Sequence, residues 1–180
     1  MKLIGSDRSL MVFCEDDIKT MQHIPSGTWT VSFNPQSGYS LIKSPDAPRL
    51  DNLYGEVDEK ANHVLKMFNF RDQSTGAILS GRKGMGKTVM ANQISAIARE
   101  DFGYATLLVT QPTPVLVSFL DSITDPVVVL FDEYEKRFKV SRDDDGDKTD
   151  GGAQDMLLGL FDGNINTKKL FLITCNNENL

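Results

Sequence analysis

The sequence predicts an α/β fold: a five-stranded parallel sheet flanked by helices, with a small β-rich N-terminal appendage. Three observations carry this. From residue 56 onward, short apolar runs that read as buried strands alternate with segments of helical period. The glycine-rich segment "GRKGMGKT" at 81–88 stands between one such strand and one such helix. The run "VVVLFDE" passes from five apolar residues directly into two carboxylates, as a buried strand does where it leaves the sheet.

Residues 1–48 read as a small β-rich domain. "LMVFCE" is a short apolar run, and "TWTVSFNPQSGYSLIK" is two alternating segments around an Asn-Pro-Gln-Ser-Gly turn. Trp29, Val31 and Phe33 face one side and Thr28, Thr30 and Ser32 the other, so Trp29 is expected in the core of the hairpin. The following stretch, "KSPDAPRLDN", has two prolines and little apolar content and reads as a linker. A second domain, 49–180, begins with Val57, Ala61, Val64, Leu65 and Phe68 at helical spacing, up to about Asn69.

"GAILS" is then a buried strand, "KTVMANQISAIARED" a helix and "YATLLVT" a strand. Pro114 opens a short helix, "PVLVSFLDSI", before the strand "PVVVLFDE". "EYEKRFK", an acidic loop at 143–152, a helix "AQDMLLGLFDG" and a last strand "KKLFLITCN" complete the order.

Composition limits the function classes. A formal net charge of -6 over 180 residues disfavours sequence-independent nucleic-acid binding. Cys14 and Cys175 lie far apart in no metal-ligand spacing, which suits a reducing cytoplasmic setting. The N-terminus "MKLIGSDRSL" has no apolar core of a secretory signal, and the longest apolar run is far below a membrane span, so no membrane partner is expected. His23 and His63 stand at neither metal nor triad spacing, and Cys175 reads as buried filler rather than a nucleophile.

Gly81, Gly86, Lys87 and Thr88 satisfy G-x-x-x-x-G-K-[ST] in full. A chance match in a chain of this length is expected well below about one time in a hundred on ordinary residue frequencies. Small residues let successive N–H groups turn toward a phosphate, and the following helix points its positive end there. The loop Gly84, Met85, Gly86, Lys87, Thr88 and Val89 is therefore expected to hold the nucleotide, Lys87 against the β- and γ-phosphates and the Thr88 hydroxyl on Mg²⁺.

Asp132, at the carboxyl end of its strand, is placed to hold Mg²⁺ through water, and Glu133 to polarise an attacking water. No Asn-Lys-x-Asp guanine-reading motif is present, and a second carboxylate suits a water-activating hydrolase better than a kinase. "FLITCNN" ends in Asn176 and Asn177, and an amide at that height can hold the lytic water. These residues together point to ATP hydrolysis.

With these motifs the chain resembles the AAA ATPases, ring-forming P-loop motors of the AAA+ group, over about residues 50–180. "GAILSGRKGMGKT" resembles their Walker A segment, "VVVLFDEYEK" their Walker B and "LFLITCNN" their sensor 1 strand. "DNLYGEVDEKANHVLKMF" resembles the stretch leading in, which implies that Tyr54 and Gly55 contact adenine. The resemblance implies a homo-oligomeric ring of six subunits that spends Mg·ATP on remodelling a protein partner. "RKGMGKT" has the divergent flavour of viral members, whose setting would be a host cytoplasm.

Three features depart from the family pattern. The chain ends just beyond sensor 1, so arginine fingers and a C-terminal helical lid have no place, and the sequence reads as a truncated product or a fragment. Arg137 does not match the finger position. The segment before Walker B lacks the aromatic-apolar-glycine triplet of threading unfoldases, and "SRDDDGDKTDGG" makes the second pore-facing loop unusually acidic. Aligned on Gly146 as a calcium loop, that stretch puts Ser141 first and Gly152 last, with the wrong first ligand and no terminal glutamate, so a solvated loop is expected. Two other functions fit the same motifs: a nucleotide-dependent scaffold or switch with little hydrolysis, and an AAA+ nucleic-acid loader, which the acidic balance disfavours.

Overall fold

The computed structural model describes residues 2–6, 9–13, 21–51, 53–111, 113, 115–137 and 167–176. Cys14, Pro114, Asn177, the acidic loop with its tested calcium positions and the helix expected over 153–163 lie outside the described residues.

Among the described residues twelve elements follow one another: β1 (Lys2–Ser6), β2 (Ser9–Phe13), β3 (Gly27–Asn34), β4 (Gly38–Lys43), α1 (Val57–Phe70), β5 (Thr75–Ser80), α2 (Lys87–Phe102), β6 (Ala105–Val109), α3 (Leu116–Ser122), β7 (Val127–Phe131), α4 (Tyr134–Arg137) and β8 (Lys169–Cys175). β1 and β2 pair antiparallel as a sheet of their own. The main sheet runs β4-β3-β6-β7-β8-β5.

Among the described residues this sheet has six strands, and five of them are parallel, as expected. Four parallel strands are those read from 76–176, β5, β6, β7 and β8. The fifth parallel strand is β3, which lies against β6 with Gly27 opposite Ala105 and Val31 opposite Val109. β4 folds back antiparallel as the sixth. The second hairpin of the expected appendage therefore continues the main sheet, because its alternation gives it an apolar face at the level of the β6 face. Val31 is buried there, and Trp29 packs partly buried beside it. The turn closes as an Asx turn, the Gln36 N–H donating to Asn34 Oδ1 at 2.8 Å.

Side-chain alternation splits the core between two faces, as a covered parallel sheet requires. Val127, Val129 and Phe131 of β7, with Phe171 and Ile173 of β8, pack under Leu116 and Leu120 of α3. Val128, Leu130, Leu170 and Leu172 point the other way, onto Ala61, Leu65 and Phe68 of α1 and Ala91, Ile94, Ile97 and Ala98 of α2. α2 is buried from Gln93 to Ala98, and its alanines let both α1 beside it and the sheet beneath approach it closely. It ends at Gly103 in the left-handed region (φ 70°), where the N–H groups of Gly103 and Tyr104 close onto Arg99 and Ala98 carbonyls. Among the described residues no helix is long and apolar enough to cross a membrane.

Candidate active site

Strand order sets the site. β8 lies between β5 and β7, with Ser80 of β5 opposite its Cys175 and Phe131 of β7 opposite its Ile173. The loop after β5 and the carboxylates after β7 thus emerge at one edge of the sheet, on either side of the end of β8.

The loop 81–86 turns into α2 through glycines in the left-handed region, Gly84 at φ 87° and Gly86, which caps the helix, at φ 81°. A Cβ at either position would meet nothing within 4 Å. Backbone conformation, not crowding, is what demands glycine there. The Met85 N–H closes onto the Arg82 carbonyl at 3.2 Å, and Lys87 Nζ donates to the carbonyls of Gly81 (2.9 Å) and Arg82 (3.0 Å). The lysine is thereby held across the mouth of its own loop.

Parity places the opposite wall. Asp132 and Thr174 continue the even-numbered face of β7 and β8, the face that packs on α2. The Thr174 hydroxyl donates to Asp132 Oδ1 at 2.6 Å and accepts the Glu133 N–H at 2.8 Å. Thr174 is 2 % exposed, so one buried hydroxyl joins the strand end to both carboxylate residues. Glu133 itself adopts φ 51°, a left-handed conformation that is costly for a residue with a Cβ. This turn ends the strand and, with Tyr134 buried behind it, swings the glutamate out of the sheet. Burial also raises the Tyr134 phenol above its ordinary pKa. Lys136, in the first turn of α4, forms an ion pair with Glu133 Oε1.

A cavity of ≈ 280 Å³ is lined by Lys83, Gly84, Gly86, Lys87, Thr88, Val89, Glu133, Thr174 and Asn176. It unites the loop residues with Glu133 and Asn176; Asp132 reaches it through Thr174. On the other side of Gly86, Lys87 and Val89 a wider cleft of ≈ 650 Å³ takes in Met85, Ile78 and the segment Leu53–Val57. Tyr54 and Gly55 therefore stand on the wall of this second cleft, Tyr54 at its rim and 99 % exposed. Backbone N–H groups of a helix N-terminus and a lysine on one wall, with a carboxylate and an amide on the other, are the kinds of group that a phosphoryl-transfer site uses.

Sequence reading missed Thr174, Lys83, Lys136 and Gln93. The signal for Thr174 was a polar residue inside the buried run "LFLITC", on the same parity as the strand-end aspartate. His23, without a partner in the sequence, bonds Asp125 Oδ1 at 2.7 Å, which with the Ile24 N–H lowers the pKa of that carboxyl. His63 is exposed and Cys175 buried.

The donor set suits Mg²⁺. Thr88 and Asp132 offer hard oxygen donors, and among the described residues no cluster of three His, Cys, Asp or Glu could form an all-protein cage. Mg²⁺ is ordinarily held by one or two protein oxygens, the rest coming from phosphate and water.

The family model for the ATPase family associated with various cellular activities (AAA) matches residues 77–180, more than half of the chain. Comparison with curated proteins gives no match.

Proposed function

The chain belongs to the AAA family of ATPases, and we propose that it binds and hydrolyses Mg·ATP between the loop 84–89 and the end of β8. The observation that carries this is the single cavity joining Lys87 and Thr88 to Glu133 and Asn176. In this reading the phosphates lie on the N–H groups of Gly84, Met85, Gly86, Lys87, Thr88 and Val89. Lys87 leaves the Gly81 and Arg82 carbonyls to neutralise the β- and γ-phosphates, and the base enters the wider cleft beside Tyr54 and Gly55.

Thr88 and Asp132 would hold Mg²⁺, which when bound neutralises phosphate charge and fixes the terminal phosphoryl group. Asn176 orients a water by its amide. Glu133 accepts the proton of that water as its oxygen attacks the γ-phosphorus, and the bond to the β-phosphate oxygen breaks to release ADP. The wide exposure of Tyr54 and Met85 beside the cleft favours a site completed by a neighbouring copy, hence a ring, six-membered in the family pattern, that remodels a macromolecular partner.

The Lys136–Glu133 ion pair favours a second reading, a nucleotide-dependent switch with little hydrolysis, because a paired carboxylate is a poorer base. One experiment separates the two. ATP binding and turnover are measured over a range of protein concentrations, with Glu133→Gln and Lys136→Ala alongside. Binding with turnover that rises per subunit with concentration and vanishes in Glu133→Gln supports the motor. Binding with negligible turnover that Lys136→Ala raises supports the switch. Failure to bind ATP, or binding that survives Lys87→Ala unchanged, overturns the site.

A further inference from the structure

Gln93 is a polar residue in the buried middle of α2, 1 % exposed, among the buried Ala91, Ile94, Ser95, Ala96 and Ile97. A leucine would fill the volume without the cost of burying an amide, so the bonds the amide makes are informative. Nε2 donates twice, to the Leu50 carbonyl at 3.0 Å and to Asp58 Oδ1 at 2.6 Å, and Oε1 accepts the Leu50 N–H at 3.0 Å. Both backbone groups of Leu50 are thus taken by one side chain, like a rung of a sheet ladder. The reverse amide orientation would set oxygen against the Leu50 carbonyl and the Asp58 carboxylate, so the network fixes the orientation.

The two anchor points have a common meaning. Leu50 ends a strap tied along α2: Arg99 Nη1 holds the Ala47 carbonyl at 2.8 Å and Arg49 pairs with Asp101 at 2.9 Å. Asp58 lies in the first turn of α1. Between them in the sequence, Leu53, Tyr54, Gly55, Glu56 and Val57 form one wall of the wider cleft. The opposite wall includes Lys87, Val89 and Met90, on the same helix as Gln93. A single buried amide therefore closes both ends of the cleft-wall loop onto the helix that carries the phosphate loop. Six residues of helix, about 9 Å, separate Gln93 from Lys87.

We propose that Gln93 is a positioning residue, a clasp that holds the 53–57 segment against α2 and so sets the affinity of the wider cleft for the base and sugar of the nucleotide, without touching the nucleotide itself. This rests on the nucleotide reading of the site. The chemistry it serves is recognition of an aromatic base on Tyr54, Gly55 and Met85, with the phosphates held independently by the loop. Loss of the clasp lengthens the loop's tether from two fixed ends to a free excursion, and the ordering it supplied must then come from binding.

The test compares ATP with inorganic tripolyphosphate, which has the phosphate charge and no base, on the full chain, its Gln93→Leu variant, Asp58→Ala and Asp58→Asn. For Gln93→Leu, ATP affinity is expected to fall about tenfold, the scale of one or two lost hydrogen bonds, with tripolyphosphate affinity unchanged. Amide hydrogen exchange of residues 53–57 should rise in the same variant with no ligand present. Asp58 is exposed, so its variants keep the test alive if Gln93→Leu does not fold. Asp58→Ala should weaken ATP alone by a smaller factor, and Asp58→Asn, which keeps an acceptor, should restore it. Equal losses for both ligands, or exchange at 53–57 unchanged, overturn the clasp. Tripolyphosphate binding as tight as ATP in the parent chain overturns it too while leaving the phosphate site standing; binding of neither ligand removes both readings.

Discussion

Replacing Thr174 by valine keeps the shape of the side chain and deletes only its hydroxyl, so the change isolates the contact that joins β8 to the two carboxylate residues. Thr174 is almost wholly buried, and valine leaves no cavity. Two bonds disappear: the charge-assisted one to Asp132 at 2.6 Å and the one from the Glu133 N–H at 2.8 Å. A bond to a charged group contributes about 1.5–3 kcal/mol and a neutral one about 0.5–1.5 kcal/mol. Asp132 and Glu133 are only half-buried, so water recovers part of the loss. The expected destabilisation is about 2 kcal/mol.

The same bond holds Glu133 at φ 51°, so its loss also frees the turn that aims the glutamate. Urea unfolding measures the first effect, read as a lower midpoint at unchanged slope. Steady-state turnover against ATP measures the second, read as a lower kcat with little change in ATP binding. Thr174→Ser should restore most of both. A Thr174→Val midpoint within about 0.5 kcal/mol of the parent, the size of an ordinary surface change, would refute the argument, as would a serine variant no better than valine.

Two further changes test other parts of the structure. Gly86→Ala puts a Cβ on a residue at φ 81° in open space, so it should cost about 1–2 kcal/mol from backbone conformation alone and weaken ATP binding by turning the loop's N–H groups; a neutral result in urea unfolding would contradict the left-handed cap. Lys169, fully buried at the start of β8, donates to the carbonyls of Ile123 (2.6 Å) and Asp125 (3.2 Å), and burial lowers its pKa to about 8 against the opposing pull of Asp121 and Asp125. Between pH 8 and 10.5 the unfolded chain then binds the extra proton, so stability should rise with pH across that window relative to Lys169→Met, and be flat below it; a parallel pair of pH curves would mean that the amine keeps its ordinary pKa in the folded chain and would refute the shift.

Elements with one strong apolar signal were legible: the helical spacing of Val57, Ala61, Leu65 and Phe68 for α1, and the unbroken run Val127–Phe131 for β7. The loop was legible because few residue types can turn N–H groups inward, and glycine at 84 and 86 does so by conformation rather than by packing. What could not be read was partnership across the sheet. The alternation of 27–34 says that β3 has two faces and is silent on which strand it will pair with, so the hairpin was expected apart from the sheet it extends. Thr174 and Gln93 were passed over for a related reason. A polar residue inside an apolar run has a meaning only when its partner is known, and those partners lie 42 and 43 residues away in the chain.

The two missed residues point to how the site is organised. Thr174 ties the wall proposed to activate water to β8, and Gln93 ties the wall proposed to hold the base to α2, so each of these ties lies outside the loop 81–86 between them. Damage to either tie should then be separable: one lowers turnover at constant affinity, the other lowers affinity for ATP at constant affinity for its phosphates. Combining Thr174→Val with Gln93→Leu tests that separation, because contacts with no shared partner add in free energy. The double variant should show the kcat loss of the first and the ATP-affinity loss of the second, each undiminished. A double variant no worse than the poorer single one would mean that the two walls move as a unit through α2 and β8, and that the loop between them transmits the motion.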